Sequence, residues 1–227
     1  MATTPDPPGG ATSTPLRLVL ASGSPRRSEL LIGLGLEPEI RPVDLDESRL
    51  SGEAPASYVE RLARAKATAR CEPGELVLAA DTSVVLGEDT ILGKPRSPAE
   101  SATMLEGLSG RTHRVLTGIA AAHRSAADAP VLAVSEVVST RVDFAVIPAA
   151  IRGWYVATGE GDDKAGAYAI QGRGALFVES IEGNYANVVG LPLPQLETLL
   201  GRLGRSLLDW MPEARLESVR APSRDRG

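Results

Sequence analysis

The chain has 227 residues, 43% of them hydrophobic, with Cys71 its one cysteine and His113 and His123 its two histidines. That suffices for one good core and excludes a disulfide framework, a cysteine zinc site and a His-rich metal site. A formal net charge of −5 disfavours a general nucleic-acid binder, although an acidic protein can still gather its cations in one cleft and hold a small polyanion.

Residues 1–15, "MATTPDPPGGATSTP", are rich in Pro, Gly and Thr and read as a disordered tail, with neither the basic start nor the apolar stretch of a secretory signal. "LRLVLA" (16–21) predicts a buried strand. It turns through Ser22-Gly23-Ser24 into a helix with Ser24 as N-cap, Pro25 at its first position and Leu30, Leu31 and Leu34 on its buried stripe, stopped by Gly33 or Gly35. "SYVERLARAKATARC" (57–71) predicts an amphipathic helix with Tyr58, Val59, Leu62, Ala65 and Ala69 along one side and Lys66 at the border of that face. "ELVLAAD" (75–81) is a second buried strand running into Asp81, and "TSVVLGEDTILGKP" (82–95) a hairpin turning at "GED".

Ser97, Pro98 and Glu100 spell a capping box at the next helix start. Two long strands over 112–123 and 131–147 follow, separated by "RSAADAP", and Pro148 opens a short helix through Tyr155. "AYAI" (167–170) and "ALFVESI" (175–181) read as strands, "LPQLETLLGRL" (193–203) as the closing helix and 212–227 as a second disordered tail. Buried strands, hairpins and flanking helices together predict an α/β fold with a mixed sheet, one domain over 16–211. No apolar run reaches the roughly eighteen residues of a membrane span, so the expectation is a soluble, cytoplasmic protein without a membrane partner.

Chemistry-bearing residues collect at turns and strand ends. Ser22, Ser24, Arg26 and Arg27 stand where a strand becomes a helix, and hydroxyls, guanidinium forks and a helix N-terminus all suit phosphate oxygens. Asp81 ends an apolar strand, a position that lines clefts in α/β folds. Lys94, between Gly93 and Pro95, has a well-fixed backbone from which to project a cation, though this is no phosphate-binding P-loop. The segment 160–174 sets Asp162, Asp163 and Lys164 among glycines, and the Gln171 amide offers a donor and an acceptor to the edge of a base. Glu47, in the loop after the first helix, and Lys66 join as neighbouring charges. Each stretch also has a plain reading: a capped helix with solvated arginines, a turn-capping Asp, a solvated loop.

Five stretches, "LASGSPRRSELL", "YVERLARAKA", "AADTSVVLGEDTILGKP", "MLEGLSGRTHRVLTG" and "DDKAGAYAIQGRGALFVESIEGNYANVVGLPL", occur in the order seen in the Maf family of nucleoside triphosphate pyrophosphatases, associated with septum formation inhibition. The chain resembles that family from about Leu16 to Leu200. The resemblance implies an elongated mixed sheet with flanking helices and two lobes around a deep nucleotide-binding cleft, a homodimer, and a divalent cation, Mg²⁺ or Mn²⁺. It implies cleavage of a nucleoside triphosphate between its α and β phosphates, with Asp81 as the match to the family's base and Lys66 and Lys94 beside it as catalytic cations. Arg26, Thr82 and Gln171 match the positions that separate a subgroup acting on dTTP and UTP from one preferring 7-methyl-GTP, and all three resemble the former. Arg27, Lys164, Ser22 and Ser24 would complete substrate binding, and Glu47 and Asp81 are the expected metal ligands. Three alternatives stay open: the same chemistry on 7-methyl-GTP, a non-catalytic nucleotide-sensing regulator of cell division, and a member of the inosine triphosphate pyrophosphatases, which share two lobes and a cleft.

Overall fold

The computed structural model describes residues 16–211; both expected tails, 1–15 and 212–227, lie outside the described residues. In chain order the elements are β1 (Arg17–Leu20), α1 (Pro25–Gly33), β2 (Glu39–Ile40), α2 (Pro55–Ala69), β3 (Glu75–Leu86), β4 (Thr90–Leu92), α3 (Pro98–Leu108), β5 (Thr112–Arg124), β6 (Leu132–Phe144), α4 (Ala149–Ala157), β7 (Val178–Glu182), α5 (Tyr185–Val189) and α6 (Leu193–Gly201). They form a mixed sheet in the order β2-β1-β3-β5-β6-β7, with β4 added beside β3. β1 runs parallel to both β2 and β3, and every other pairing is antiparallel.

The long strand β3 organises everything else. On one side it pairs with β5 from Glu75 to Val85. On the other it pairs with β1 only as far as Leu78 and with β4 only from Val84. Between Leu78 and Val84 that edge of β3 has no ladder partner among the described residues, and Asp81 and Thr82 lie in this gap.

Strand alternation sends successive side chains to opposite faces. Leu76, Leu78 and Ala80 pack with Leu31 of α1 and Leu196 and Leu199 of α6. Val77 and Ala79 pack on the other face with Ala63 and Ala67 of α2. Further along, Val84 joins a separate core of Leu105, Phe144, Tyr155 and Phe177. Each fully buried leucine or phenylalanine contributes about 1.5–3 kcal/mol. Asp81 therefore faces α2, and Thr82 faces α1 and α5.

One glycine sets the height of α2 above the sheet. Gly118 of β5 is the partner of Asp81, and a Cβ there would stand 2.3 Å from the carbonyl oxygen of Val59. Only glycine lets the helix backbone descend so far, and about two turns later the same helix carries Lys66 over Asp81.

Several expectations are corrected. Asp81 does not end its strand: β3 continues to Leu86, so its second half is the first arm of the hairpin. The buried stripe of α2 is Val59, Leu62, Ala63, Lys66 and Ala67, while Ala69 is exposed. Lys66 thus lies within the buried face rather than at its border. "AYAI" forms no strand, because Gly166 and Ala167 both take positive φ (69° and 59°) in a 3₁₀ turn. Its apolar spelling reflects burial of Tyr168, Ala169 and Ile170. "ALFVESI" begins as a 3₁₀ turn, and only Val178 onward joins the sheet. The capping box is half made: Ser97 Oγ accepts the Glu100 N–H at 3.2 Å, but the Glu100 carboxylate accepts the backbone N–H of Arg96. Ser24 caps α1 by backbone geometry alone.

Candidate active site

The gap in β3 opens into a cleft of about 580 Å³, lined by every residue for which the resemblance implies a role; Asp162 is not among the lining residues. Their side chains form two clusters and a rim.

The first cluster lies on the α2 face. Lys66, 8% exposed, extends its ammonium to Asp81 Oδ1 at 2.7 Å and to Glu47 Oε1 at 2.6 Å. A buried lysine is costly unless paired, and two carboxylates on one nitrogen supply that pairing. Glu47 comes from the stretch between β2 and α2, and its backbone carbonyl accepts the Tyr58 hydroxyl at 2.9 Å. Burial, with Asp81 and Glu47 nearby, raises the pKa of Tyr58, so its hydroxyl remains a neutral donor. Among the described residues no group of three or more His, Cys, Asp or Glu side chains converges to hold a metal. The expected ligands Glu47 and Asp81 meet on the Lys66 ammonium, which engages one oxygen of each and leaves each a second oxygen for a cation beside it. A cation bound there would take at most these two carboxylates and complete its shell with water and phosphate oxygens, as Mg²⁺ does.

The second cluster lies on the opposite face and is built around Arg27. Its Nε donates to the Gly190 carbonyl at 2.9 Å, one Nη to Ser22 Oγ at 2.9 Å and the other to Thr82 Oγ1 at 3.0 Å. All three groups of the guanidinium hold protein atoms, and the side chain is half-buried. Burial lowers its pKa to about 10, leaving it charged at neutral pH. Gly190 allows this close approach: its φ is +121°, and a Cβ would meet Arg27 Nε and Thr82 Oγ1 at 3.3 Å. Thr82 Oγ1 also lies 3.1 Å from the hydroxyl of Thr117, its partner on β5. Thr117 in turn donates to the main-chain carbonyl of Asn187 at 3.0 Å.

The rim is looser. Arg26, beside Arg27 in sequence, lines the cleft and comes within 3.8 Å of Asp163. The Gly166 N–H donates to the Gly93 carbonyl at 3.1 Å and ties the end of the β3–β4 hairpin to the 160–174 segment. This brings Lys94 and Lys164 to the same mouth. Lys94 is exposed, with no ion pair among the described residues. Lys164 donates to the Glu160 carbonyl at 2.7 Å and to the Asp163 carboxylate. Gln171 is exposed, its loop fixed by Glu160, whose carboxylate accepts the Gly174 N–H at 3.1 Å.

Residues 17–203 match the protein family described as "Maf-like protein". The chain belongs to the Maf family. Curated relatives align over more than four fifths of the chain. One from Anaeromyxobacter dehalogenans is 55% identical over 188 residues, 83% of this chain and 94% of its own. One from Moorella thermoacetica is 53% identical over 190 residues, 83% of this chain and 95% of its own. One from Myxococcus xanthus is 50% identical over 192 residues, 84% of this chain and 94% of its own. All three relatives are named dTTP/UTP pyrophosphatase.

Sequence reasoning missed part of this Maf site. Tyr58 was read as core, yet it lines the cleft and buttresses the Glu47 loop. Thr117 and Asn187 were not singled out at all. A threonine in a long apolar strand and an asparagine inside a short helix carry no local signal of their own. Strand register, which places Thr117 opposite Thr82, was what could have found the first.

Proposed function

We propose that the protein hydrolyses dTTP and UTP to the nucleoside monophosphate and pyrophosphate. The observation that carries this reading is the Asp81–Lys66–Glu47 cluster on the wall of a cleft whose mouth gathers Arg26, Lys94 and Lys164. The names of the relatives support the substrates.

Asp81 orients a water molecule and takes its proton as the water oxygen attacks the α-phosphorus. The bond from that phosphorus to the bridging oxygen breaks, and pyrophosphate leaves with the electron pair. Lys66 holds Asp81 in place through the 2.7 Å contact, a positioning role, and its charge offsets that of the approaching phosphate. Ser22, Ser24 and the N-terminus of α1 bind phosphate oxygens together with Arg26. Lys94 and Lys164 stabilise the charge that grows on the departing pyrophosphate. A Mg²⁺ or Mn²⁺ held by Glu47 and Asp81 would neutralise phosphate charge and orient the leaving group when bound. Arg27 ties Ser22 and Thr82 together with three of its five N–H groups, which leaves two to donate to phosphate oxygens. Thr82 and Gln171 read the base, beside the apolar wall of Val188 and Val189.

Identifying the products by phosphorus NMR tests the reaction. UMP with pyrophosphate is expected from UTP; UDP with orthophosphate would reject the proposed cleavage, and tight binding without turnover would favour a nucleotide sensor. Cleavage of 7-methyl-GTP but of neither dTTP nor UTP would reject the base assignment alone.

A further inference from the structure

We propose that Thr117 and Asn187 are positioning residues that make the Thr82 hydroxyl a hydrogen-bond acceptor only, so that the cleft selects a base presenting an N–H group at that point. The inference rests on the dTTP and UTP reading above, and it follows from counting protons.

A threonine hydroxyl has one proton and two lone pairs. The Asn187 main-chain carbonyl can only accept, so the 3.0 Å contact from Thr117 uses the Thr117 proton. The 3.1 Å contact between Thr117 and Thr82 then has to use the proton of Thr82. Arginine can only donate, so the 3.0 Å contact from Arg27 occupies one lone pair of Thr82. What remains for the cleft is a single lone pair.

The arrangement cannot reverse without breaking buried bonds. Asn187 is fully buried, and its side-chain amide donates to the Val115 carbonyl and to Thr140 Oγ1, both at 3.0 Å. Its backbone N–H donates to Asn184 Oδ1 at 3.1 Å. The carbonyl that fixes the Thr117 rotor is therefore itself fixed. Thr117 is also fully buried and acts on the cleft only through Thr82.

Uracil and thymine present an imide N–H at ring position 3, which a lone pair can accept. Cytosine presents a lone pair there, and two facing lone pairs leave both groups unpaired and repelling. A site built to pair one polar group rejects an analogue that cannot make the pair. Thr82 stands beside the valines of α5, on the wall suited to a base.

The test compares kcat/KM for UTP and CTP in the wild type, Thr117→Val and Thr117→Ser. In Thr117→Val the Thr82 proton is released to point into the cleft, and the UTP-to-CTP ratio falls by about tenfold. Thr117→Ser keeps the hydroxyl and the wild-type ratio, whereas a purely structural role would change stability and leave the ratio alone in both. If Thr117→Val does not fold, Thr82→Val supplies the same readout from the cleft wall: it removes the acceptor and is expected to lower the ratio to a similar extent. A folded Thr117→Val with the wild-type ratio overturns the proposal, as does Thr82→Val with the wild-type ratio. A wild type inactive on both dTTP and UTP overturns the substrate reading and this inference with it, a result distinguishable from the first two because no ratio exists to measure.

Discussion

Asp81 and Thr82 are neighbours in the chain, but the two faces of β3 on which they stand are built on different physics. Toward α2, three charged side chains meet on one nitrogen, with Lys66 bridging Asp81 and Glu47. Toward α1 and α5, a fixed guanidinium and a file of hydroxyls and a carbonyl run from Arg27 through Thr82 and Thr117 to Asn187. Charge supplies strength but little direction. A chain of hydroxyls supplies direction, because each proton fixes the next. A strand that has lost its neighbour on one edge can offer both to a single ligand: chemistry from one face, selection from the other.

Substitutions that separate rate from preference sharpen this contrast. The largest expected effect is on the charged face. Asp81→Asn keeps the shape but cannot take a proton, and kcat should fall by about 10²–10⁴-fold with the UTP-to-CTP ratio unchanged, as read from steady-state kinetics. The next is Gly118→Ala, whose Cβ would strike the Val59 carbonyl at 2.3 Å. Lifting α2 should cost about 1–3 kcal/mol in denaturant unfolding and lower kcat by moving Lys66, again without altering preference.

The adjacent arginines should behave differently. Arg27→Ala removes three bonds that join Ser22, Thr82 and Gly190, at a cost of about 2–3 kcal/mol of stability, and it relaxes base preference. Arg26→Ala should leave stability within about 0.5 kcal/mol and raise KM, because its one ion pair is long and lies at the surface.

A smaller effect concerns pH, behind the cleft. His113 is 2% exposed, its Nε2 is 2.9 Å from the Tyr168 hydroxyl, and burial lowers its pKa from 6.5 to about 4. Between those values the unfolded chain binds a proton that the folded one refuses, so stability is complete above pH 6.5 and declines as the pH falls toward 4. The decline attributable to this group is about 3 kcal/mol. Urea unfolding of wild type and His113→Gln across that range should show the slope in the former and its loss in the latter. Base preference measured at neutral pH should not respond.

Part of the charged face could be read from the sequence, because a carboxylate after an apolar run and a turn full of phosphate-binding groups are local patterns. Ser22, Arg26, Asp81 and Lys94 stand at turns and at the ends of apolar runs, yet each also has a plain local reading until the five motifs are taken together. The neutral face could not be read this way. Thr117 matters because register sets it opposite Thr82, and Asn187 because a helix outside the expected elements carries its carbonyl under the sheet. Lys66 fell one position away from its actual role, since periodicity assigns a lysine to the edge of a buried stripe unless its counter-charges are known. "AYAI" was misread for a related reason: burial gives irregular backbone the same apolar spelling as a strand.

The most direct test of the division between faces is one set of kcat/KM values for UTP and CTP on wild type, Lys66→Met and Thr82→Val. Lys66→Met should lose rate on both nucleotides together, keeping their ratio, whereas Thr82→Val should lower the ratio and retain most of the turnover on CTP. If Lys66→Met changed the ratio, or if Thr82→Val reduced both nucleotides equally, β3 would not divide chemistry from selection between its faces.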